Sequence, residues 1–266
     1  MSQQLFPALI DLVRRAGEAT LPFWRNDVAV TEKSDASPVT AADLAAHAIL
    51  DAGLRALAPE LPVLSEEAAD IALNERATWT RWWLVDPLDG TKEFLKRNGE
   101  FTVNIAWVEE GYPVAAVVLA PALGALFYAL QGQGAWVRDL ATSQEAALVV
   151  QPAAADQPLR VMGSRSHGGD ALAAWLGRLP RPHSFVAAGS SLKFCRIAQG
   201  QADMYPRFGP TSQWDTAAAQ CVLEAAGGAV LDFQGQRLRY GLERPVLNPE
   251  FVATADPALV VQYFQF

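Results

Sequence analysis

Apolar residues recur at helical spacing along the beginning of the chain. They lie three or four positions apart over residues 4–25, which predicts an amphipathic helix there. A second helix is predicted from the stretch "PVTAAD" as far as Pro59. Two short apolar runs follow, "PVLSEE" and "RWWLV", and each predicts a strand. The first of these strands ends in acids.

From Phe101 to Val137 the pattern changes to strands separated by turn residues, which predicts a β meander. Residues 140–158 are rich in Ala, Gln and Pro, as is typical of a domain junction. Beyond them strand-like and helix-like segments alternate, as in "LRVMGS" and "DALAAWLGRL". The predicted fold class is therefore α/β (α+β), with an N-terminal α+β part over residues 1–150 and a C-terminal α/β part over 151–266.

Composition restricts the function without identifying it. Of the 266 residues, 51% are hydrophobic and 19% are charged, as in an ordinary globular protein. The net charge of −8 argues against a general nucleic-acid binder, which would carry a basic face. No apolar run reaches membrane-spanning length and no signal pattern is visible, so we expect a cytoplasmic protein without an integral membrane segment. Cys195 and Cys221 are interpreted as buried free thiols.

The stretch "RWWLVDPLDGTKEF" places two acids close together directly after an apolar run. "DPLDG" has the residues of a type I turn, which would hold the Cα atoms of Asp86 and Asp89 within about 7 Å. Two carboxylates that close repel and raise each other's pKa unless a cation lies between them. These carboxylates and the Leu88 carbonyl are hard oxygen ligands, which suit Mg²⁺ or Mn²⁺ rather than Zn²⁺. A solvated turn is the alternative for an isolated motif of this kind.

Further acids fall where strands end or helices begin. Glu66 and Glu67 end the predicted strand "PVLS". Asp215 opens an apolar helix, where N-capping alone would explain an acid. Asp43 fits a capping box in which Thr40 is the N-cap. Each acid is unremarkable alone, and together they favour a cation site at the strand ends.

Gly90 and Thr91 begin a helix directly after the paired acids, and free backbone N–H groups at such a start can hold a phosphate. The stretch is not a P-loop, because G-x-x-x-x-G-K-[ST] is absent. The chain also shows no D-x-D nucleophile after a strand, and no Cys–His or Ser–His nucleophile pattern. These residues favour phosphate chemistry that needs no covalent intermediate.

The segments "SEE", "WWLVDPLDGTKEFLKRNGEFTVNIA" and "WDTAAAQ" resemble the lithium-sensitive, magnesium-dependent phosphatases of the inositol monophosphatase superfamily. Three others bring the chain close to that superfamily's CysQ-type 3′(2′),5′-bisphosphate nucleotidases: "KSDASPVTAADLAAH", "VMGSRSH" and "GSSLKFCRIAQGQADMYPRFGPTSQWDTAA". The resemblance covers nearly the whole chain. It implies a layered α/β/α/β/α sandwich and two or three Mg²⁺ ions, with Mn²⁺ as a substitute and Li⁺ as an inhibitor. Family members are often monomers or homodimers, and a peripheral position at the inner face of the cell membrane remains open.

The resemblance also implies roles for individual acids. Glu66, Asp86 and the Leu88 carbonyl would hold one metal ion. Asp86, Asp89 and Asp215 would hold another, while Glu66 would help with a third through water. The catalytic residues implied are Asp43, Glu66 and Thr91, with Thr91 and Asp43 orienting and deprotonating the attacking water. The substrate phosphate would lie against Glu66, Leu88, Asp89, Gly90, Thr91 and Asp215.

The substrate would be chosen by the second half of the chain. By resemblance, His167, Ser190, Lys193 and Arg207 contact the nucleotide or its second phosphate; a surface histidine, a helix N-cap and solvated cations are the alternatives. Arg207 is the most telling, because inositol phosphatases carry an acid at the matching position, whereas an arginine fork suits a phosphate. His47 and His183 lack a motif and receive no role.

Three hypotheses about function follow. The first is a nucleotidase that converts adenosine 3′,5′-bisphosphate to AMP and phosphate in sulfur assimilation, and that also acts on the 5′-phosphosulfate analogue. The second is an inositol monophosphatase or fructose-1,6-bisphosphatase with the same metal site. The third is a non-catalytic relative that binds a phosphorylated ligand, although the complete set of acids counts against it.

Overall fold

A computed structural model describes residues 5–25, 30–32, 38–164, 169–243 and 245–264. The helices are α1 (Leu5–Arg25), α2 (Ala41–Leu57), α3 (Leu73–Arg76), α4 (Thr91–Leu95), α5 (Asp170–Arg178), α6 (Leu192–Ala198), α7 (Ala217–Ala225) and α8 (Ala258–Phe264). The strands are β1 (Val30–Glu32), β2 (Pro38–Thr40), β3 (Val63–Ser65), β4 (Arg81–Asp89), β5 (Thr102–Glu109), β6 (Tyr112–Ala120), β7 (Ala125–Leu130), β8 (Gly134–Asp139), β9 (Glu145–Ala147), β10 (Leu159–Ser164), β11 (His183–Ala188), β12 (Met204–Arg207), β13 (Ala229–Asp232) and β14 (Phe251–Thr254).

The first sheet has seven strands in the order β3-β4-β5-β6-β7-β8-β9. The β3–β4 pair is parallel, and the remaining pairs are antiparallel, as the predicted meander requires. The sheet is apolar on both faces because large apolar side chains point alternately to one face and to the other along each strand. In β4, Trp83 and Val85 face α1 and α2, whereas Trp82 and Leu84 belong to the core on the other side. The sheet is therefore covered by helices on both sides.

The second sheet has five strands in the order β11-β10-β12-β14-β13, with parallel pairs around β10 and antiparallel pairs around β14. α6 and α7 lie between the two sheets and contribute to one core with both of them. α5 and α8 cover the outer face of the second sheet through Trp175, Val260 and Phe264. The order of layers is helix, sheet, helix, sheet, helix, so the predicted fold class and layered sandwich are confirmed.

The stretch "DPLDG" is a bulge in a strand and not a turn. β4 continues through it to Asp89, and its register with β5 shifts between Asp86 and Asp89. Asp86 pairs with Asn104 and Asp89 pairs with Thr102. Three residues along β4 therefore correspond to two residues along β5, so β4 contains one extra residue. Pro87 cannot donate to a sheet ladder, and a bulge is one of the few sheet positions that accept proline. The prediction of a turn was therefore wrong, because pairing with β5 overrides the local preference of these residues.

Other predictions from the sequence have mixed outcomes. The first two predicted helices agree closely with α1 and α2, and "PVLS" forms β3. Cys195 and Cys221 are buried free thiols, as interpreted. No helix in the described ranges is both long and apolar enough to span a membrane. The division into residues 1–150 and 151–266 stays a prediction.

Candidate active site

A cleft of about 540 Å³ opens beside the ends of β4 and β12. α4, the start of α6 and the short 3₁₀ helix Gln213–Asp215 complete its walls. Most of the residues singled out in the sequence line it: Glu66, Asp89, Gly90, Thr91, Ser190, Lys193, Arg207 and Asp215. Residues far apart in the chain therefore meet at one site.

Asp86 and Leu88 lie just behind this cleft in β4, and both are buried. Oδ1 of Asp86 accepts a hydrogen bond of 3.0 Å from the Leu88 N–H, which fixes the carboxylate within the bulge. Burial, together with the negative charges of Glu66, Asp89 and Asp215, raises the pKa of Asp86 well above its ordinary value. The bulge thus holds a buried carboxylate whose ionised form is costly.

Asp89 and Asp215 line the cleft, and burial and neighbouring carboxylates raise their pKa values as well. Burial raises the pKa of Asp89 to about 6, against the lowering effects of Lys193 and of the Ser191 N–H. Burial and then Asp89 raise the pKa of Asp215 well above its ordinary value. One oxygen of each carboxylate accepts a backbone N–H, from Ser191 at 2.5 Å and from Ser212 at 2.9 Å. Among the residues that the structure describes, no hydrogen bond reaches the second oxygen of either carboxylate, so that oxygen can take another ligand.

The donor set fits a hard divalent cation. Glu66, Asp86, Asp89 and Asp215 supply carboxylate oxygens only. Glu66, Asp89 and Asp215 line the same cleft, and Asp86 lies three residues before Asp89 in β4. Within the described ranges, no three His, Cys, Asp or Glu side chains stand in an arrangement that would hold a metal ion as they are. Binding an ion would therefore draw these carboxylates together, and it would remove the repulsion that raises their pKa values.

Gly90 connects the paired acids to α4 and has to be a glycine. Its φ of +90° is one that residues with a Cβ rarely adopt. A Cβ at this position would lie 3.2 Å from the Glu100 carbonyl oxygen. The left-handed backbone of Gly90 places Thr91 at the first position of α4, where it lines the cleft.

Asp43 is buried at the start of α2 and does not line the cleft. Its Oδ2 accepts a hydrogen bond from the Thr40 N–H at 2.8 Å, as the predicted capping box requires, and another from Thr40 Oγ1 at 2.6 Å. Burial raises its pKa to about 6. No hydrogen bond joins the described side chains of Asp43 and Thr91, so the pair implied by the resemblance stays a prediction.

Two buried cations face the cleft from the second half of the chain. Lys193 Nζ donates to the Ser190 carbonyl at 2.5 Å and lies 5.0 Å from the centre of the Tyr205 ring. Burial lowers the pKa of Lys193 to about 8. Arg207 donates from Nε to the Gly209 carbonyl at 3.0 Å and from a terminal nitrogen to the Pro210 carbonyl at 2.7 Å. These carbonyls hold the guanidinium in place before a ligand arrives.

Ser190 has a φ of +48°, which is uncommon for a residue other than glycine. It lies at the end of β11, next to Lys193, and lines the cleft. His167 lies outside the described residues. Sequence reasoning missed Tyr205, which stands two residues before Arg207 in β12 and therefore shares its face of the sheet. The period of two along "MYPR" could have indicated it.

Known proteins agree with this architecture. A sequence model of the inositol monophosphatase family matches residues 1–263. A 3′(2′),5′-bisphosphate nucleotidase CysQ from Salmonella typhimurium is 49% identical over 245 residues, covering 91% of this chain and 96% of that relative. The CysQ of Escherichia coli K12 is 48% identical over 242 residues, covering 90% and 95%.

Solved structures give the same picture. The crystal structure of CysQ from Bacteroides thetaiotaomicron, a bacterial member of the inositol monophosphatase family, has a TM-score of 0.82 and is 36% identical, over 96% of this chain and 98% of that one. An inositol monophosphatase from Thermotoga maritima, at 24% identity, shares the fold with a TM-score of 0.80 over 99% and 97%. The chain belongs to the inositol monophosphatase family. Within that family, CysQ nucleotidases are among the relatives to which its sequence is similar, at 48–49% identity over about nine-tenths of its length.

Proposed function

We propose that the protein is a phosphatase that removes the 3′-phosphate of adenosine 3′,5′-bisphosphate to give AMP and phosphate. We extend the proposal to the 5′-phosphosulfate analogue and to a role in sulfur assimilation. The observation that carries it is the cleft itself, in which clustered acids and two buried cations, Lys193 and Arg207, face the same space. The names of the CysQ relatives support the same substrate.

The acids suit a divalent-metal phosphatase, and we propose two or three Mg²⁺ ions, with Mn²⁺ as a substitute and Li⁺ as an inhibitor. Glu66, Asp86 and the Leu88 carbonyl would hold one ion, and Asp86, Asp89 and Asp215 another. Such ions, when bound, shield the charge of a phosphate and increase the acidity of a water molecule. The contribution of the chain is a set of carboxylates whose repulsion in the free protein favours the bound state.

The cations suit a substrate with a second anionic group. Arg207 is buried, and its orientation is already fixed by two backbone carbonyls, so little side-chain entropy is lost when it meets a phosphate. Lys193 adds a second positive charge, and Ser190 adds a hydroxyl on the same side of the cleft. We propose that these three residues, with His167, contact the nucleotide or its distal phosphate.

Thr91 lines the cleft beside Asp89 and is proposed to orient the attacking water. The pKa of Asp43, about 6, suits a proton acceptor near neutral pH. Its carboxylate bonds to Thr40, so a role beside Thr91 needs either a rearrangement or an intervening water molecule. The pair stays a prediction, and Asp43→Asn should slow turnover if it is right.

A phosphate-release assay tests the function. The substrates are adenosine 3′,5′-bisphosphate, its 5′-phosphosulfate analogue, inositol 1-phosphate and fructose 1,6-bisphosphate, each with Mg²⁺ and with excess chelator. We expect the highest kcat/KM on the nucleotide bisphosphate and none without metal. Preference for inositol 1-phosphate or the fructose ester would reject the substrate assignment. Tight binding without any phosphate release would support the non-catalytic hypothesis, and full activity in chelator would reject the metal site.

Two expectations about the protein's surroundings stay predictions. One is a monomer or homodimer, which light scattering at several concentrations tests. The other is a location in the cytoplasm, with a peripheral position at the inner face of the cell membrane as the alternative. Cell fractionation distinguishes the two.

A further inference from the structure

The two acids of the bulge have polar partners on the neighbouring strand. In the register of the sheet, Asn104 stands opposite Asp86, and Thr102 stands opposite Asp89. Thr102 and Asn104 are two residues apart in β5, so their side chains point to the same face, and both are fully buried. Polar side chains in such a position remain only where their hydrogen bonds are satisfied.

Their partner is Ser191, from the opposite half of the chain. The Ser191 hydroxyl donates to Asn104 Oδ1 at 2.7 Å and lies 2.8 Å from Thr102 Oγ1. Asn104 Nδ2 in turn donates to Thr102 Oγ1 at 3.0 Å. With the Thr102 hydroxyl donating to Ser191 Oγ, each of the three side chains donates once and accepts once. We call this closed ring the Thr102–Asn104–Ser191 triangle.

The triangle anchors a loop that lines the cleft. The Ser191 N–H donates to Asp89, and the Gly189 N–H donates to Glu100 Oε2 at 2.8 Å. Between these two anchors Ser190 has its unusual positive φ, and its carbonyl accepts from Lys193. A non-glycine residue holds such a conformation only when its surroundings impose it. The residues that impose it here come from β4, from β5 and from the segment between them.

We propose that Thr102, Asn104 and Ser191 are positioning residues, which fix the Ser190–Lys193 side of the cleft against the acid-bearing strand. This inference rests on the proposed function, since it assigns the placement of substrate to that site. The triangle itself touches no substrate, because all three side chains are buried behind the loop. Its effect is geometric: a loop that moves by a fraction of an ångström carries both Ser190 and a hydrogen-bond partner of Asp89 with it.

The test removes one hydroxyl without changing shape. Thr102→Val keeps the volume and the β-branching but breaks the ring, whereas Thr102→Ser keeps the hydroxyl. The matched control is Thr254→Val, because Thr254 is an equally buried strand threonine whose hydroxyl donates to the Asp203 carbonyl at 3.1 Å in the other sheet. Each variant is assayed with adenosine 3′,5′-bisphosphate and Mg²⁺ well below its unfolding temperature, which urea unfolding and thermal scans establish.

We expect Thr102→Val to lower kcat/KM by about ten- to a hundredfold, with a lower kcat and a higher KM, because misplaced groups affect both binding and reaction. Thr102→Ser should restore both values, and Thr254→Val should lose stability but keep both. Calorimetry should show weaker binding of AMP to Thr102→Val alone. If Thr102→Val does not fold, Ser191→Ala carries the same expectations.

Equal kinetics for Thr102→Val and Thr254→Val would overturn the proposal, as would failure of Thr102→Ser to restore them. Both results would reduce the triangle to an ordinary stabilising contact. If the wild-type protein releases no phosphate from the bisphosphate, the proposed function fails separately. Calorimetric binding of inorganic phosphate to the same variants then still decides whether the triangle positions the loop.

Discussion

The two walls of the cleft differ in whether their charged groups already have favourable partners within the protein. On the acid wall (Glu66, Asp89 and Asp215, with Asp86 directly behind them), burial and mutual repulsion raise the pKa values of the three aspartates. On the cation wall (Lys193 and Arg207), both side chains already donate to backbone carbonyls. The acid wall therefore needs a cation from outside the chain, whereas the cation wall is complete before a ligand arrives.

This difference separates two tasks. A site that is unfavourable when empty gains the most from binding metal, and the acid wall has that property. A site that is already ordered can distinguish ligands by shape and charge at low entropic cost, and the cation wall has that property. We expect the acid wall to decide whether the protein reacts, and the cation wall to decide with what.

The substitution expected to have the largest effect is Asp89→Asn, in the acid wall. It removes one charge at nearly constant volume, and the amide oxygen can still accept the Ser191 N–H. We expect kcat to fall more than about a thousandfold on every substrate, because the metal ion that would shield the reacting phosphate loses an anionic ligand. The metal-free variant should unfold at the same temperature as wild type or higher, since repulsion is relieved. A near-normal kcat would reject the metal assignment, and an unfolded variant would make Asp89 mainly structural.

A smaller effect is expected from Thr91→Ala, which leaves all the carboxylates in place. Loss of the hydroxyl that orients the attacking water toward its proton acceptor should lower kcat about a hundredfold, with little change in KM. Metal-induced stabilisation, followed by thermal unfolding, should match wild type. Unchanged kcat would mean that Thr91 serves only to begin α4.

Arg207→Ala tests the cation wall and should act selectively. Loss of a charge-assisted contact to the distal phosphate should lower kcat/KM on adenosine 3′,5′-bisphosphate by about ten- to a hundredfold. A small monophosphate ester should react as before. The control is Arg237→Ala, because Arg237 is a partly buried arginine paired with Glu224 and lies outside the cleft. Equal losses on all substrates would show that Arg207 supports the fold or the acid wall instead.

The smallest effect is a pH-dependent change in stability. Asp43 and Asp89 have pKa values of about 6 in the folded protein against 3.8 ordinarily, so the folded state binds more protons than the unfolded state between those values. In chelator, the free energy of unfolding should therefore fall as pH rises from about 4 to about 6. Mg²⁺ at a hundred times its Kd should add about 2.7 kcal/mol at pH 7.

The same Mg²⁺ concentration should stabilise less at pH 5, where protons compete for the carboxylates. Thermal unfolding at both pH values, with and without metal, measures this difference. Equal stabilisation by Mg²⁺ at pH 5 and pH 7 would contradict a metal site made of carboxylates with raised pKa values.

The sequence predicted the acid wall better than it predicted the connections behind it. Asp86 and Asp89 stand in one short motif, and Glu66 and Asp215 each follow a recognisable boundary. The sequence predicts a turn where the structure has the bulge at Pro87, because the local preferences of "DPLDG" are visible in the sequence while the pairing of β4 with β5 is not. Register is a tertiary property, and it overrode those preferences.

The triangle shows a second limit. Thr102 and Asn104 appear in "FTVNIAWVEE" as two polar residues of an otherwise apolar strand, which is a signal that something polar must face them. Nothing local indicates that Ser191, 87 positions beyond Asn104, is that partner. Motifs identify residues that react with a ligand, whereas residues that hold two halves together become visible only when the chain is folded.

The helices between the two sheets also bear on how the chain is made. α6 and α7 are encoded after both the first sheet and half of the second, yet they share a core with one face of the first sheet, where α7 packs against β5, β6, β7 and β8. While the protein is being synthesised, the side chains of Trp82, Leu84 and Phe127 on this face therefore stay exposed until α7, which ends at Ala225, has left the ribosome. A fragment that ends at residue 150 would keep that face bare permanently and should aggregate. Apolar surface that is exposed during synthesis favours aggregation, so we expect the incomplete chain to be more prone to aggregate than the complete protein.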